Sequence, residues 1–512
     1  MTAIRMGGDL IYGWRMGTHA LPPDLRRILL HEVRAPALPP LSEVAIRPVL
    51  PVGPHATIPF ENLAFEGGGA KGMAYIGALR VLEESGLYPA HILRVAGTSS
   101  GSFFASMVAC GATSAELKQL LFDTDLVKLL KDAKWGRFSC AVNLWSDFGF
   151  HPGQRLLDFL GELLAERTGS PDVTFGQLLE RCGRELCVPV ANITRMCAEY
   201  CHPKTTPDMP VRLAIGMSMS LPVLMRPYRL VHRMGSPAWD EEDLYTDGGI
   251  LCNFPLHVFD GWWLSMKPKD SFVRRLGPLI GTGEFDNPLA RFEPRDGKTL
   301  GFTVFEMGER DVSAEWVTDE GGPPERPDTI LAHIARDREQ AMDNKRDQAM
   351  ELHHAFGRLM RALDACESDD DGLVSREEIQ GLFEHLSEDD GQLLFGSTSP
   401  DAIFDMLDED GSGQIEPEEL VRFMDARNIG LTARAMGCRR SENSQVGSFM
   451  NNVFQTVLIH VRKMNLRRDD QHRTVPISTD YVGTTNFALQ EADRSFLIES
   501  GERATRAFLK DT

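Results

Sequence analysis

Twice between residues 63 and 107 a short apolar run stops at a glycine-rich turn and a helix-period pattern takes over. That order feeds a strand into a helix, and a series of such units builds a sheet covered by helices. NLAFE, from Asn62, reads as the first strand. After Gly67–Gly72 comes a predicted helix with Met73, Ile76, Leu79 and Leu82 at three-residue steps and Gly86 as its stop. ILRVAG reads as a second strand, and the helix after it runs through Phe103 and Met107. GQRLLDFLGELLAERTG is an amphipathic helix closed by Gly169, and ELCVPVANI is a buried-strand candidate. The expected fold class is α/β, a sheet with helices on both faces.

The stretches outside this pattern set the domain boundaries. Residues 1–60, with PALPPL and PVLPVGP, read as a loosely structured N-terminal extension. The α/β part is expected over 61–345, and its polar, Gly- and Pro-rich stretch at 310–330 reads as a loop. An acidic segment follows over 350–428, and apolar periodicity returns over 447–512. No run approaches the roughly 20 apolar residues that span a bilayer, and the N-terminus lacks the apolar core of a secretory signal. Nine scattered cysteines without regular spacing read as reduced thiols. A cytoplasmic protein is expected.

The chain carries a formal net charge of −20, which disfavours nucleic acid as a partner. The charge is concentrated: residues 361–427 hold 20 Asp and Glu against 4 Arg and no Lys. Such a block is either a solvated tail or a cation site, and its spacing decides for the second. Asp408, Asp410 and Ser412 stand at positions 1, 3 and 5 of a twelve-residue loop. Gly413 makes the turn at 6, Gln414 offers its carbonyl at 7, and Glu419 closes the loop at 12 as a bidentate ligand. Amphipathic helices are expected on either side. Upstream, Glu367, Asp369, Asp371, Leu373 and Glu378 occupy the corresponding positions 1, 3, 5, 7 and 12, with Glu in place of the usual Asp at position 1. Two such loops make a pair resembling the calmodulin-type EF-hand unit, with calcium as the bound ion.

Gly97-Thr98-Ser99-Ser100-Gly101 fits G-x-S-x-G between a strand and a helix, where a sharp turn lifts a serine oxygen to the top of the sheet. Gly97 and Gly101 let the backbones pass closely. The earlier turn, Gly67, Gly68, Gly69, Ala70, Lys71 and Gly72, exposes backbone N–H groups at a helix start. Such donors stabilise a developing oxyanion. A phosphate-binding loop fits less well, because the spacing G-x-x-x-x-G-K-[ST] is absent, as is a G-x-G-x-x-G with its acidic ribose ligand. Tyr245-Thr246-Asp247-Gly248-Gly249 places a carboxylate in a glycine turn. An aspartate near its reference pKa of about 3.9 is a poor base at neutral pH, so this role requires a partly desolvated site. The residues themselves leave a Ser–Asp pair and a Ser–Asp–His triad both open, with His257, His333, His353, His354, His385, His460 and His472 all following Asp247.

The ordered set GGGAKG, GTSSG and DGG resembles the patatin-like phospholipase family. AIGMSMSLPVLMRPY, DGGILCNFPLHVF and the tail from VPISTDYVG onward are similar to it as well. The resemblance covers roughly residues 60–310 and 447–510. It implies a three-layer α/β fold flanked by helices, with the all-α EF-hand pair inserted into it. It also implies a Ser–Asp dyad without histidine, acting on acyl esters of lipids at a membrane surface. Ser99 then attacks the ester and Asp247 accepts its proton. The amides around Gly68, Gly69 and Ala70 hold the oxyanion, and Lys71 orients the loop. Calcium has no part in that chemistry. The expected role of the inserted pair is regulatory, exposing Leu382, Phe383, Phe404, Met406 or Phe423 on calcium binding, or else a static staple. The alternative function is a calcium-dependent sensor on an inactive hydrolase scaffold.

Overall fold

The computed structural model describes residues 28–29, 60–132, 144, 147–232, 241–276, 290–306, 316–340, 355, 358–359, 361–362, 373–382, 386–416, 419, 422–423 and 446–511. The chain packs into two compact units. One comprises the chain up to Thr329 together with Asn443–Thr512, and the other comprises Ile330–Glu442.

The larger unit is built on a nine-stranded mixed sheet. Its strands are β1 (Ile28–Leu29), β2 (Asn62–Phe65), β3 (Arg94–Gly97), β4 (Glu185–Asn192), β5 (Cys197–Cys201), β6 (Tyr228–His232), β7 (Glu241–Asp247), β8 (Thr299–Glu306) and β9 (Thr474–Asp480). They lie in the order β1-β6-β7-β4-β3-β2-β8-β9, with β5 paired to β4. The run from β4 through β3, β2 and β8 to β9 is parallel, and β7 and β5 are antiparallel to β4. The parallel strands read as near-continuous apolar runs because they are buried on both faces: every residue of β2 is buried, as are seven of the eight in β4.

Helices flank the sheet. Of these, α1 (Ala74–Glu84) follows the first glycine turn and α2 (Ser100–Ala109) the second. α3 (Ser114–Asp123) opens on a reciprocal cap, in which Thr113 and Glu116 satisfy each other's backbone N–H. α4 (Leu126–Leu130) and α5 (Gln154–Thr168) follow, and Gly169 ends α5 in the left-handed conformation. Further along come α6 (Val211–Ser218), α7 (Gly249–Cys252), α8 (Val446–Asn465) and α9 (Glu491–Asp511). The sheet and helices thus match the α/β expectation, with mixed rather than uniform strand direction. Among the described residues no helix is long and apolar enough to cross a membrane.

In the smaller unit, helices Arg376–Leu382, Glu388–Phe395 and Pro400–Leu407 close over Ile379, Leu382, Leu394, Ile403, Phe404 and Ile415. Val374–Ser375 and Gln414–Ile415, each inside one of the twelve-residue loops, pair as a short antiparallel ribbon.

Candidate active site

The geometry around Ser99 follows from two close backbone approaches. A Cβ on Gly97 would lie 2.0 Å from the Gly101 carbonyl oxygen, and a Cβ on Gly101 would lie 2.4 Å from that of Phe65. Glycine at both positions lets α2 start hard against the ends of β2 and β3. Ser99 between them is held at φ 51° and ψ −127°, a conformation that L residues rarely adopt. Its N–H donates to Ser218 Oγ at 3.0 Å, and that hydroxyl donates in turn to the Pro189 carbonyl at 2.7 Å. The elbow is therefore tied to β4 and to α6.

Asp247 ends β7, where it lies opposite Val190 of β4, and β4 is the neighbour of β3. Register alone brings it beside the elbow. Its carboxylate accepts the Gly249 N–H at 2.7 Å, and the Ser99 hydroxyl is near enough to favour its ionised form. Asp247 is buried, and burial pushes its pKa up to about 7 against the pull of those two donors. The carboxyl is thus desolvated, the condition that a base role at neutral pH sets. Among the described residues no histidine hydrogen-bonds to Ser99 or Asp247 or lines the cleft above them. His257, the first histidine after Asp247, is buried with both ring nitrogens unpartnered, and burial lowers its pKa to about 3.

The glycine turn is more specialised than its sequence implies. The Gly67 N–H donates to the Asn253 carbonyl, that of Gly68 to Ser100 Oγ, that of Ala70 to the Thr484 carbonyl and that of Lys71 to the Gly68 carbonyl. Among the described residues the Gly69 N–H has no protein partner. The donors expected at Gly67 and Ala70 are thus taken by the fold, and that at Gly68 meets a rotatable hydroxyl. Gly69 itself has φ +56°, and a Cβ there would lie 2.2 Å from the Thr484 oxygen. Lys71 and Gly72, also expected at the site, are buried behind it: a Cβ on Gly72 would meet Phe104 and Ser100.

Ser99, Asp247 and Gly67–Ala70 all line one apolar cleft. Its walls include Phe103 and Phe104 of α2, Leu126 and Leu129 of α4, Leu156 and Phe159 of α5, Leu221, and Leu458 of α8. Sequence reasoning did not find these wall residues. The amphipathic stripe of α5 gave the one available signal, whereas Leu458 and Thr484 reach the site only through the fold.

In the acidic unit, oxygens of Asp408, Asp410 and Glu419 lie within 4.8 Å of one another. Gly413 sits at φ +86°, which bends the loop so that its N–H and that of Ser412 reach the Asp408 carboxylate. Ser412 Oγ donates to the Gln414 carbonyl at 2.8 Å, which brings those two expected ligand oxygens together. Backbone N–H groups of Glu416, Glu409 and Asp410 hold the Glu419 carboxyl below its usual range. This oxygen-only donor set suits a hard cation such as calcium. In the upstream loop Glu367, Asp369 and Asp371 lie outside the described residues. Leu373 is half-buried, and Glu378 is buried with its carboxylate accepting from the Ser375 N–H and hydroxyl. Leu382 and Phe404 are in the core of the unit, Met406 is exposed, Phe423 is half-buried, and Phe383 lies outside the described residues.

The sequence profile of the patatin-like phospholipase family matches residues 63–260, and an EF-hand profile matches residues 401–424. The chain is 30% identical over 200 residues to the uncharacterized protein R571 of Acanthamoeba polyphaga mimivirus, covering 39% of this chain and 61% of that protein. It is 32% identical over 202 residues to the uncharacterized protein YqhO of Bacillus subtilis, covering 38% and 65%. It is 24% identical over 200 residues to the probable lipid hydrolase 463L of invertebrate iridescent virus 6, covering 39% and 63%. The chain thus spans a little under two thirds of the length of these curated relatives. Among solved structures it is similar to VipD from Legionella pneumophila, with a TM-score of 0.39 and 15% identity over 91% of this chain and 70% of that one. Residues 63–260 thus match the patatin-like phospholipase family, and residues 401–424 match an EF hand.

Proposed function

We propose that the chain is a lipid acyl-ester hydrolase of phospholipase A or lipid acyl hydrolase type, working through a Ser99–Asp247 dyad. The observation that carries this reading is the buried Asp247 carboxylate, with a pKa near 7, beside a serine in strained backbone, both lining one apolar cleft. The name of the viral relative 463L adds support for a lipid substrate. The acyl chain lies along the cleft wall, with its carbonyl at Ser99. Ser99 Oγ attacks the carbonyl carbon and its proton passes to Asp247. The tetrahedral oxyanion accepts the Gly69 N–H, which no group among the described residues occupies. On collapse the ester C–O bond breaks and the leaving alkoxide takes the proton from Asp247. Water then attacks the acyl-enzyme, gives its proton to Asp247, and releases the fatty acid as Ser99 regains a proton.

Calcium is held by Asp408, Asp410, Ser412, Gln414 and Glu419, and by the upstream loop, and takes no part in the ester chemistry. It acts on the hydrolase from the inserted unit, at a membrane surface that supplies the substrate.

The test is fatty acid release from mixed-lipid vesicles by the wild type, Ser99→Ala and Asp247→Asn, each with calcium and with chelator. Both variants are expected at background. A wild type inert in every condition would replace this reading with a calcium sensor on an inactive scaffold. Equal wild-type rates with calcium and chelator would leave the EF hand a purely structural role.

A further inference from the structure

Behind the glycine turn lies a buried ion pair that the chemistry above does not use. Glu66 follows β2 directly and is fully buried. Its Oε1 lies 2.6 Å from Arg462 Nε, on α8, and the arginine is itself 2% exposed. The same oxygen accepts Asn253 Nδ2 at 2.9 Å, and Oε2 accepts the Val304 N–H at 3.0 Å. Asn253, also 2% exposed, is the hinge of this arrangement. Its Nδ2 donates a second hydrogen bond to the Gly67 carbonyl at 3.1 Å, and its own carbonyl accepts the Gly67 N–H at 3.0 Å. Both polar groups of the Gly67 peptide are therefore fixed by one residue, whose amide is fixed by Glu66, whose charge is balanced by Arg462.

A buried ion pair is a poor way to gain stability, because desolvating two charges offsets most of their attraction, and apolar side chains of similar size pack as well. What the pair supplies is a carboxylate with directional acceptors held in one place. We propose that Arg462 and Glu66 are positioning residues for the oxyanion site: through Asn253 they set the Gly67 peptide and so present the Gly69 N–H to the reacting carbonyl. The proposal rests on the hydrolase reading above. A displacement of about 1 Å at such a donor is enough to cost about a hundredfold in rate.

The experiment measures hydrolysis of p-nitrophenyl octanoate and the labelling rate of Ser99 by an alkyl fluorophosphonate, for the wild type, Arg462→Met, Arg462→Lys and Asn253→Ala. Arg462→Met is expected to lower kcat about tenfold or more, with KM within about threefold and labelling slowed in parallel. Arg462→Lys keeps the charge and is expected to recover part of the loss. The acid limb of the pH profile keeps its midpoint while the plateau falls, because neither Glu66 nor Arg462 contributes to the shift at Asp247. Should Arg462→Met fail to fold, Asn253→Ala carries the same expectation with the ion pair intact. Wild-type kcat and labelling rates in both Asn253→Ala and Arg462→Lys overturn the positioning role while leaving the hydrolase reading in place. A wild type that neither turns over nor is labelled overturns the hydrolase reading itself.

Discussion

The hydroxyl of Ser99 is near enough to Asp247 to favour its ionised form, yet burial has raised that carboxyl from an ordinary aspartate's 3.8 to about 7. Only the ionised form accepts a proton from the serine. Activity on the ester is therefore expected to rise about tenfold per pH unit below 7 and to level off above it. A log kcat/KM profile that is flat from pH 5 to 8 would remove Asp247 as the base.

The same shift predicts a stability effect of opposite sense to that of a salt-bridged aspartate. Between about pH 4 and pH 7 the folded chain keeps a proton on Asp247 that the unfolded chain has lost. Stability thus falls as pH rises through that window, by on the order of 4 kcal/mol at most. Asp247→Asn is expected to melt above the wild type at pH 8 and together with it at pH 4. Identical melting temperatures at both pH values would mean that the carboxyl is not desolvated.

Ser99 supplies a third expectation, from its backbone rather than its chemistry. A non-glycine residue at its φ and ψ stores roughly 1–3 kcal/mol, and the greater freedom of unfolded glycine offsets about 0.5–1 kcal/mol of the gain from relieving it. Ser99→Gly should therefore be inactive yet roughly 1 kcal/mol more stable than Ser99→Ala. The comparison is made on urea midpoints at equal slope, and a lower midpoint for Ser99→Gly would show that the elbow is relaxed.

How much of this was legible beforehand varied with sequence distance. NLAF, RVAG and ELCVPVAN announced buried parallel strands, because strands covered on both faces need apolar residues throughout. The glycines at 97 and 101 marked the elbow, since only they permit its contacts. Asp247 was visible as a turn residue but not as the end of β7, and its raised pKa depends on burial that no local pattern encodes. The glycine turn misled in part. Six residues of loose backbone looked like a row of donors, yet the fold takes the N–H groups of Gly67, Ala70 and Lys71 for itself. Leu458, Arg462 and Thr484 were out of reach, being some 200 residues beyond Asp247 and brought back by tertiary packing alone.

The second calcium loop was readable almost residue by residue, because ion coordination fixes spacing as strictly as chemistry does. Glu419 holds the closing position of that loop, and its carboxylate accepts the N–H groups of Glu409, Asp410 and Glu416. Glu419→Gln is expected to weaken calcium binding about tenfold or more by calorimetric titration, since one bidentate charge is lost. Unchanged binding heats and affinity would place the ion elsewhere.

The order of the strands gives the acidic unit a bearing on the sheet that its own ligands do not reveal. Among the described residues β9 pairs only with β8 and lies at the edge of the sheet, and the whole stretch from residue 307 to 473 separates the two along the chain. Closing that gap has an entropic cost that grows with the length of loose chain between the ends. Every residue that a bound cation makes compact is removed from that length. A cation bound there would lend the edge of the central sheet, and with it the tail that supplies Thr484 and α9, part of its cohesion.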